Sequence, residues 1–147
     1  MAMKRGVCRF GLWRVHVTWS GDTVYRVLFS KTGEGGDVPP EFRLYFSGKP
    51  VNFGRLNSTG TEDDSPFAEI YREVLKIPYG QTATYGDIAD LTGTSPRMVG
   101  NAMKRNPTPI IIPCHRVVSK SGIGGFTPEI EIKRLLLTME NANKSGN

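Results

Sequence analysis

Cys114 is followed directly by His115 and Arg116, and a cysteine beside a base and a fixed positive charge has the composition of a nucleophilic site. The thiolate is the reactive form, and a nearby base, cation or helix N-terminus raises its share by lowering the thiol pKa. Neighbouring side chains in an extended segment point apart, however, and a buried cysteine is more often a small hydrophobe than a nucleophile. Adjacency alone therefore leaves both readings open. The other cysteine, Cys8, lies far from Cys114 and makes no CxxC pair with it. A zinc site would have to gather Cys8, His16, Cys114 and His115 from distant segments, so no metal is expected. Cys8 reads as a strand-region hydrophobe and His16 as a strand surface residue.

The charge around Cys114 is uneven. No acidic residue occurs between Asp90 and Glu129, whereas Arg97, Lys104, Arg105, Arg116 and Lys120 do, and their sum equals the net charge of +5 of the whole chain. An acidic partner fits such a stretch, and the residues beside the charges favour nucleic acid over a plain solvated surface. Ser95 and Pro96 cap and start a helix running to about Asn106, with Val99, Ala102 and Met103 on its buried face. Its outer face carries Arg97, Gly100, Asn101, Lys104 and Arg105. A glycine there costs helix stability, which fits a face that another molecule approaches closely. Upstream, Thr84 with Asp87 forms a capping-box start for a helix bearing Ile88, Ala89 and Leu91 that stops at Gly93. Two short helices joined by a glycine turn form a candidate helix-turn-helix.

The rest of the chain must position these elements. Its 147 residues, 38% hydrophobic and 22% charged, have the balance of an ordinary globular protein. No apolar run approaches the ~20 residues needed to span a bilayer. The basic N-terminus lacks the apolar stretch of a secretory signal, so a cytoplasmic protein is expected. Residues 12–19 alternate, with Trp13, Val15, Val17 and Trp19 on one face, and residues 24–29 follow a turn at Ser20, Gly21 and Asp22, which predicts an antiparallel hairpin. Residues 41–46 suit a short helix. The polar stretch 57–64 reads as a linker, dividing the chain into residues 1–60 and 61–147. Ser65 and Pro66 predict a helix start, with Phe67, Ile70, Tyr71, Val74 and Leu75 at helical spacing and Pro78 as its end. Ile110, Ile111 and Ile112 form a buried strand-like run ending at Pro113 and Cys114. After a glycine loop at 121–125, Thr127 and Pro128 are expected to cap a last helix with Ile132, Leu135, Leu136 and Met139 as its apolar stripe.

The segment from Ile112 to Val118, reading IPCHRVV, is preceded by Asn106-Pro107 and followed by GIGGF at 122–126. It resembles the active-site signature of the O6-alkylguanine-DNA alkyltransferases. The likeness extends through IPYG at 77–80, Thr84-Tyr85 and RMVGNAM at 97–103, and on to Leu135, Leu136 and Glu140, covering about residues 65–141. Upstream it is loose, around LYFSG at 44–48. The fold it implies is α/β (α+β), with a small N-terminal RNase H-like antiparallel sheet domain and a mainly α-helical, winged helix-turn-helix-like C-terminal domain.

The resemblance further implies a monomer that binds double-stranded DNA in the minor groove and flips an alkylated base out of the stack. Cys114 would take the O6-alkyl group of guanine, and less readily the O4-methyl group of thymine, irreversibly and without a cofactor. His115 would be the base, acting through a water, and Glu140 would hold its far end. Arg97 would enter the stack, while Gly100, Asn101 and Lys104 would lie along the DNA. Tyr85 would help rotate the nucleotide and donate to guanine N3. The carbonyls of Cys114 and Val117 would accept from the guanine amino group, and the Thr127 amide would donate to O6. Pro109 would form a pocket wall and Asn106 would tie the cysteine loop to the recognition helix. Phe126 stands where the family commonly has tyrosine, which keeps base stacking and loses a hydroxyl. Thr127 replaces a frequent serine, and Lys133 matches a lysine near the site. Two readings outside this family are a helix-turn-helix regulator with a structural cysteine and a hydrolytic cysteine enzyme. The cysteine motif weighs against the first and the acid-free basic stretch against the second.

Overall fold

The computed structural model describes residues 2–144. Strands β1 (Lys4–Phe10), β2 (Trp13–Ser20) and β3 (Thr23–Ser30) form an antiparallel meander, and β4 (Asn57–Ser58) adds a short parallel pairing on β3. Alternation produces the sheet, as Trp13, Val15 and Val17 of β2 are buried together with Cys8 and Phe10 of β1 and Val27 and Phe29 of β3. Helix α1 (Pro40–Phe46) contributes the buried Phe42 and Tyr45 to the same core. His16 is half-buried rather than a plain surface residue, because its Nε2 meets the Ser30 hydroxyl at 2.9 Å and the Thr32 carbonyl at 2.7 Å.

Helix α2 (Ala68–Val74) begins two residues later than a Ser65 cap implies and carries no side-chain cap. It also ends before Pro78, because Lys76 and Ile77 bond the carbonyls of Glu73 and Val74 and tighten the chain out of the α-helical pattern. The short strand β5 (Ala83–Thr84) leads into α3 (Tyr85–Thr92), whose capping box pairs the Thr84 side chain with the Asp87 amide and the Asp87 side chain with the Thr84 amide. Gly93 closes α3 at φ 67°, a left-handed conformation that glycine adopts without strain. Ser95 then caps α4 (Pro96–Lys104) by accepting from the Met98 amide at 3.1 Å. Helix α4 stops short of Asn106, whose side chain instead bonds the Ile112 carbonyl and the Thr108 amide.

The three isoleucines are buried but form a turn rather than a strand. Ile110 has φ 81° and the Ile112 amide returns to the Thr108 carbonyl at 3.0 Å. That turn divides them between two apolar clusters. Ile110 and Ile111 join the sheet and α1, whereas Ile112 joins α2, α3 and α4. Strand β6 (Val117–Val118) pairs in parallel with β5. Helix α5 (Ile130–Asn143) starts beyond Thr127 and Pro128, which do not cap it. Its buried ridge is Ile132, Lys133, Leu136 and Glu140, while Leu135 is 39% exposed and lies off it. Ile132 and Leu136 pack in the sheet cluster, so the last helix closes the core begun by the first strands. Among the described residues no helix is long and apolar enough to cross a membrane.

Candidate active site

Cys114 opens a single helical turn, Cys114–Arg116, directly after the isoleucine turn, and its amide bonds the Ile112 carbonyl at 2.7 Å. Asn106 fastens this segment to the end of α4 by donating to the Ile112 carbonyl at 2.8 Å and accepting from the Thr108 amide at 3.0 Å. Burial pushes the Cys114 thiol up to about 11, against the opposing effects of a hydrogen bond from Asn106 and the charge of Lys133. In the resting protein the sulfur is therefore a thiol at neutral pH, and its activation requires a base.

His115, the next residue, is fully buried and is the candidate base. Its Nε2 lies 2.7 Å from Oε2 of Glu140, and since a carboxylate accepts, Nε2 carries the proton. Nδ1 then bears the lone pair, and it is buried without a hydrogen-bond partner among the described residues. Burial lowers the His115 pKa, outweighing the raising effect of Glu140, so the ring is neutral and basic at physiological pH. Glu140 is the hub. Beyond His115 it accepts from Arg116 Nε at 2.9 Å and Arg116 Nη at 3.0 Å, from the Gly80 amide at 3.1 Å, and from the Tyr45 hydroxyl. Burial opposes its ionisation, but His115 and Arg116 outweigh burial and hold the carboxyl well below the usual carboxylate range.

Arg116 is thus not part of the basic surface. It is 9% exposed, donates to the Ile77 carbonyl at 2.9 Å and spends its charge on Glu140. Tyr45 and the Gly80 amide are members of this network that the sequence pattern did not single out, and Arg116, noted there as a fixed charge beside Cys114, acts on Glu140 instead. Tyr45 does lie in the loosely matching LYFSG segment, the one signal that could have pointed to it.

A cavity of about 790 Å³ meets Cys114. Tyr85, Asn106, Pro109, Phe126 and Thr127 line it with the cysteine, and it extends to Gly100 and Lys104 of α4 and to Arg105 just beyond that helix. Arg97 and Asn101 lie outside its walls on the exposed face of α4. Val117 is buried and does not line it, and its carbonyl accepts from Lys133 Nζ at 2.6 Å. That ammonium also bonds the Gly125 carbonyl at 3.1 Å, and burial draws its pKa down to about 8 against the raising influence of Cys114. Tyr85 starts α3 and accepts from the Gly125 amide at 3.4 Å. The glycine loop passes so close that a Cβ on Gly124 would sit 2.6 Å from the Tyr85 hydroxyl oxygen. Val27 to Phe29 and Arg26, from β3, form a further wall that the sequence did not reveal.

These features define a class, namely a helix-turn-helix protein whose basic helix opens on a cavity lined by a buried cysteine, with a buried, carboxylate-bound histidine next to it in the chain. Residues 65–142 match the family model described as 6-O-methylguanine DNA methyltransferase, DNA binding domain. The chain belongs to that family. A methylated-DNA--protein-cysteine methyltransferase of Saccharolobus islandicus is 48% identical over 98 residues, covering 66% of this chain and 63% of that protein. One of the same name from Metallosphaera sedula is 43% identical over 102 residues, covering 67% of this chain and 62% of its own. The chain thus spans less than two thirds of the length of these curated relatives. Among solved structures, the Mycobacterium tuberculosis O6-methylguanine methyltransferase superposes with a TM-score of 0.75 at 28% identity, covering 96% of this chain and 94% of its own. A complex of the Mycobacterium tuberculosis protein with DNA gives 0.76 at 26% identity, covering 94% of this chain and 93% of that one.

Proposed function

We propose that this protein repairs alkylated duplex DNA by moving the alkyl group from O6 of a flipped guanine, and less readily from O4 of thymine, to Cys114. The observation that carries the reading is a neutral His115 locked by Glu140 immediately beside a buried thiol, at a cavity that extends to the basic face of α4. A structural cysteine in a DNA-binding regulator has no use for that arrangement.

Nδ1 of His115 takes the thiol proton through a bridging water, and Glu140 stabilises the imidazolium that forms. The thiolate attacks the alkyl carbon. A sulfur–carbon bond forms as the carbon–O6 bond breaks, and the electron pair of that bond stays on the guanine. Tyr85 meets the developing charge by donating to N3. The Thr127 amide donates to O6, while the Cys114 and Val117 carbonyls accept from the amino group, the latter once Lys133 gives way. The thioether has no leaving step, so each molecule acts once and needs no cofactor.

Arg97, Gly100, Asn101 and Lys104 would lie along the minor groove, with Arg97 filling the space of the flipped base. A monomer suffices for this chemistry because every group named comes from one chain, and a cytoplasmic location fits the absence of a membrane-crossing helix among the described residues. The division near residue 60 is kept as a proposal, with α5 bracing one part against the other. The reading is tested with a duplex carrying a radiolabelled O6-methylguanine. Wild-type protein should take up the label, and Cys114→Ala should bind the duplex and take up none. Label on the alanine variant, or none on the wild type, would refute the assignment.

A further inference from the structure

The third strand belongs to the first sixty residues, yet it borders the cavity at Cys114. The Val27 amide donates to the Pro107 carbonyl at 2.9 Å, which docks this strand against the segment leading to Pro109. Arg26, Val27, Leu28 and Phe29 then line the cavity along with Cys114, Pro109 and Phe126. Phe29 is 5% exposed and meets the Phe126 ring edge-on, with centroids 5.8 Å apart and planes at 69°. Phe46 backs it from α1 at 6.4 Å.

Tyr85 and Lys133 hold the loop by its backbone at Gly125, whereas the Phe126 side chain packs against the sheet cluster, where it meets the Phe29 ring. Its neighbours Gly124 and Gly125 bring no side chains, and a Cβ on Gly125 would meet nothing within 4 Å. The seat of the Phe126 ring is therefore set in part from outside the loop, through its contact with Phe29. A cavity of about 790 Å³ also far exceeds what one methyl group occupies, so the position of its walls decides which larger groups reach the sulfur.

We infer that Phe29 and the adjoining Leu28 of β3 are specificity-determining residues for the transferred group, with the Phe29–Phe126 contact setting how large an apolar or aryl substituent reaches Cys114. The inference rests on the proposed transfer reaction and adds to it a role for the N-terminal sheet. Shortening the wall admits bulk, and lengthening it excludes bulk.

The test measures single-turnover rate constants for two duplexes, one with O6-methylguanine and one with O6-benzylguanine, on wild type, Phe29→Leu and Leu28→Trp. Leu28 is 37% exposed, so its variant keeps the test open if the Phe29 variant folds poorly. The benzyl-to-methyl ratio should rise about tenfold in Phe29→Leu and fall about tenfold in Leu28→Trp, as expected for small volume changes in an apolar pocket. A purely structural role would move both rates together and leave the ratio within about twofold, too small a change to need a pocket contact. That outcome in both variants, with methyl transfer intact in the wild type, overturns the inference alone. A wild type that transfers neither group overturns the functional reading and this inference with it.

Discussion

Replacing Glu140 with glutamine keeps the shape of the hub and removes its charge. Glu140 is 1% exposed and accepts from His115, twice from Arg116, and from Tyr45 and the Gly80 amide. Glutamine offers one acceptor oxygen and turns an NH2 group toward these donors, so at least one buried donor loses its partner. The larger loss is at Arg116, whose side chain is 11% exposed and would become a buried cation without a counter-charge. Breaking a buried pair by removing one partner costs about 3–5 kcal/mol. At about 2–4 °C per kcal/mol for a chain of this size, the melting temperature should fall by roughly 6–20 °C. Chemistry should suffer separately, because the imidazole loses the carboxylate that fixes its proton on Nε2. Transfer should slow by about a hundredfold or more, in line with general-base catalysis and the orienting of its histidine. Differential scanning fluorimetry and quenched single-turnover transfer, run below the melting point of the variant, read the two effects. A melting shift under about 2 °C with transfer within about threefold of wild type would refute the reasoning, since neither the pair nor the base would then contribute.

Three further outcomes follow from the same geometry. The Glu140 carboxyl titrates lower in the folded protein than its ordinary 4.5, and burial lowers His115 from 6.5, so for both groups the unfolded chain binds the proton first. Urea-unfolding free energy should thus fall as pH drops below 6.5 and more steeply below 4.5, each group contributing up to about 1.4 kcal/mol per pH unit, whereas a rise on acidification would contradict the assignment. Both Cys8 and Cys114 are pushed by burial from 9.0 to about 11, so iodoacetamide should alkylate each in the native protein about a hundredfold more slowly than in the urea-unfolded chain. Peptide mapping that finds Cys114 labelled at the unfolded rate would show that the thiol is already activated. Finally, a Cβ at Gly100 meets nothing within 4 Å, so Gly100→Ala should stabilise α4 by about 0.5–1 kcal/mol in thermal melts. If the backbone at Gly100 approaches DNA, the same variant should bind duplex several-fold more weakly by fluorescence anisotropy, and unchanged affinity would remove Gly100 from the interface.

Local signals were legible in the residues themselves, the His115–Glu140 pair only through the family resemblance, and the other pairings across long separations not at all. The Thr84–Asp87 box, the Ser95 cap and the Gly93 stop all lie within a few residues of their partners, so side-chain chemistry alone specifies them. The same logic overreached at Ser65 and at Thr127, where the helices start later, at Ala68 and Ile130. The isoleucine run showed burial without showing that its turn would split it between two clusters. Arg116 counted as surface charge because a basic run in sequence does not reveal which side of a helical turn faces inward. Tyr45 reaches Glu140 across 95 residues and His115 across 70, and no periodicity encodes that meeting. The β3 wall is invisible for the same reason, since strand alternation marks Phe29 as core without naming the ring it will touch.

The central claim is that the alkyl group ends on Cys114, once per molecule. Intact-protein mass spectrometry after incubation with a duplex containing one O6-methylguanine, followed by peptide mapping, tests it directly. The account predicts the mass of a single methyl group, saturating at one per protein and mapped to Cys114. Unchanged mass alongside tight binding to the lesion, or a methyl group on any other residue, would contradict it.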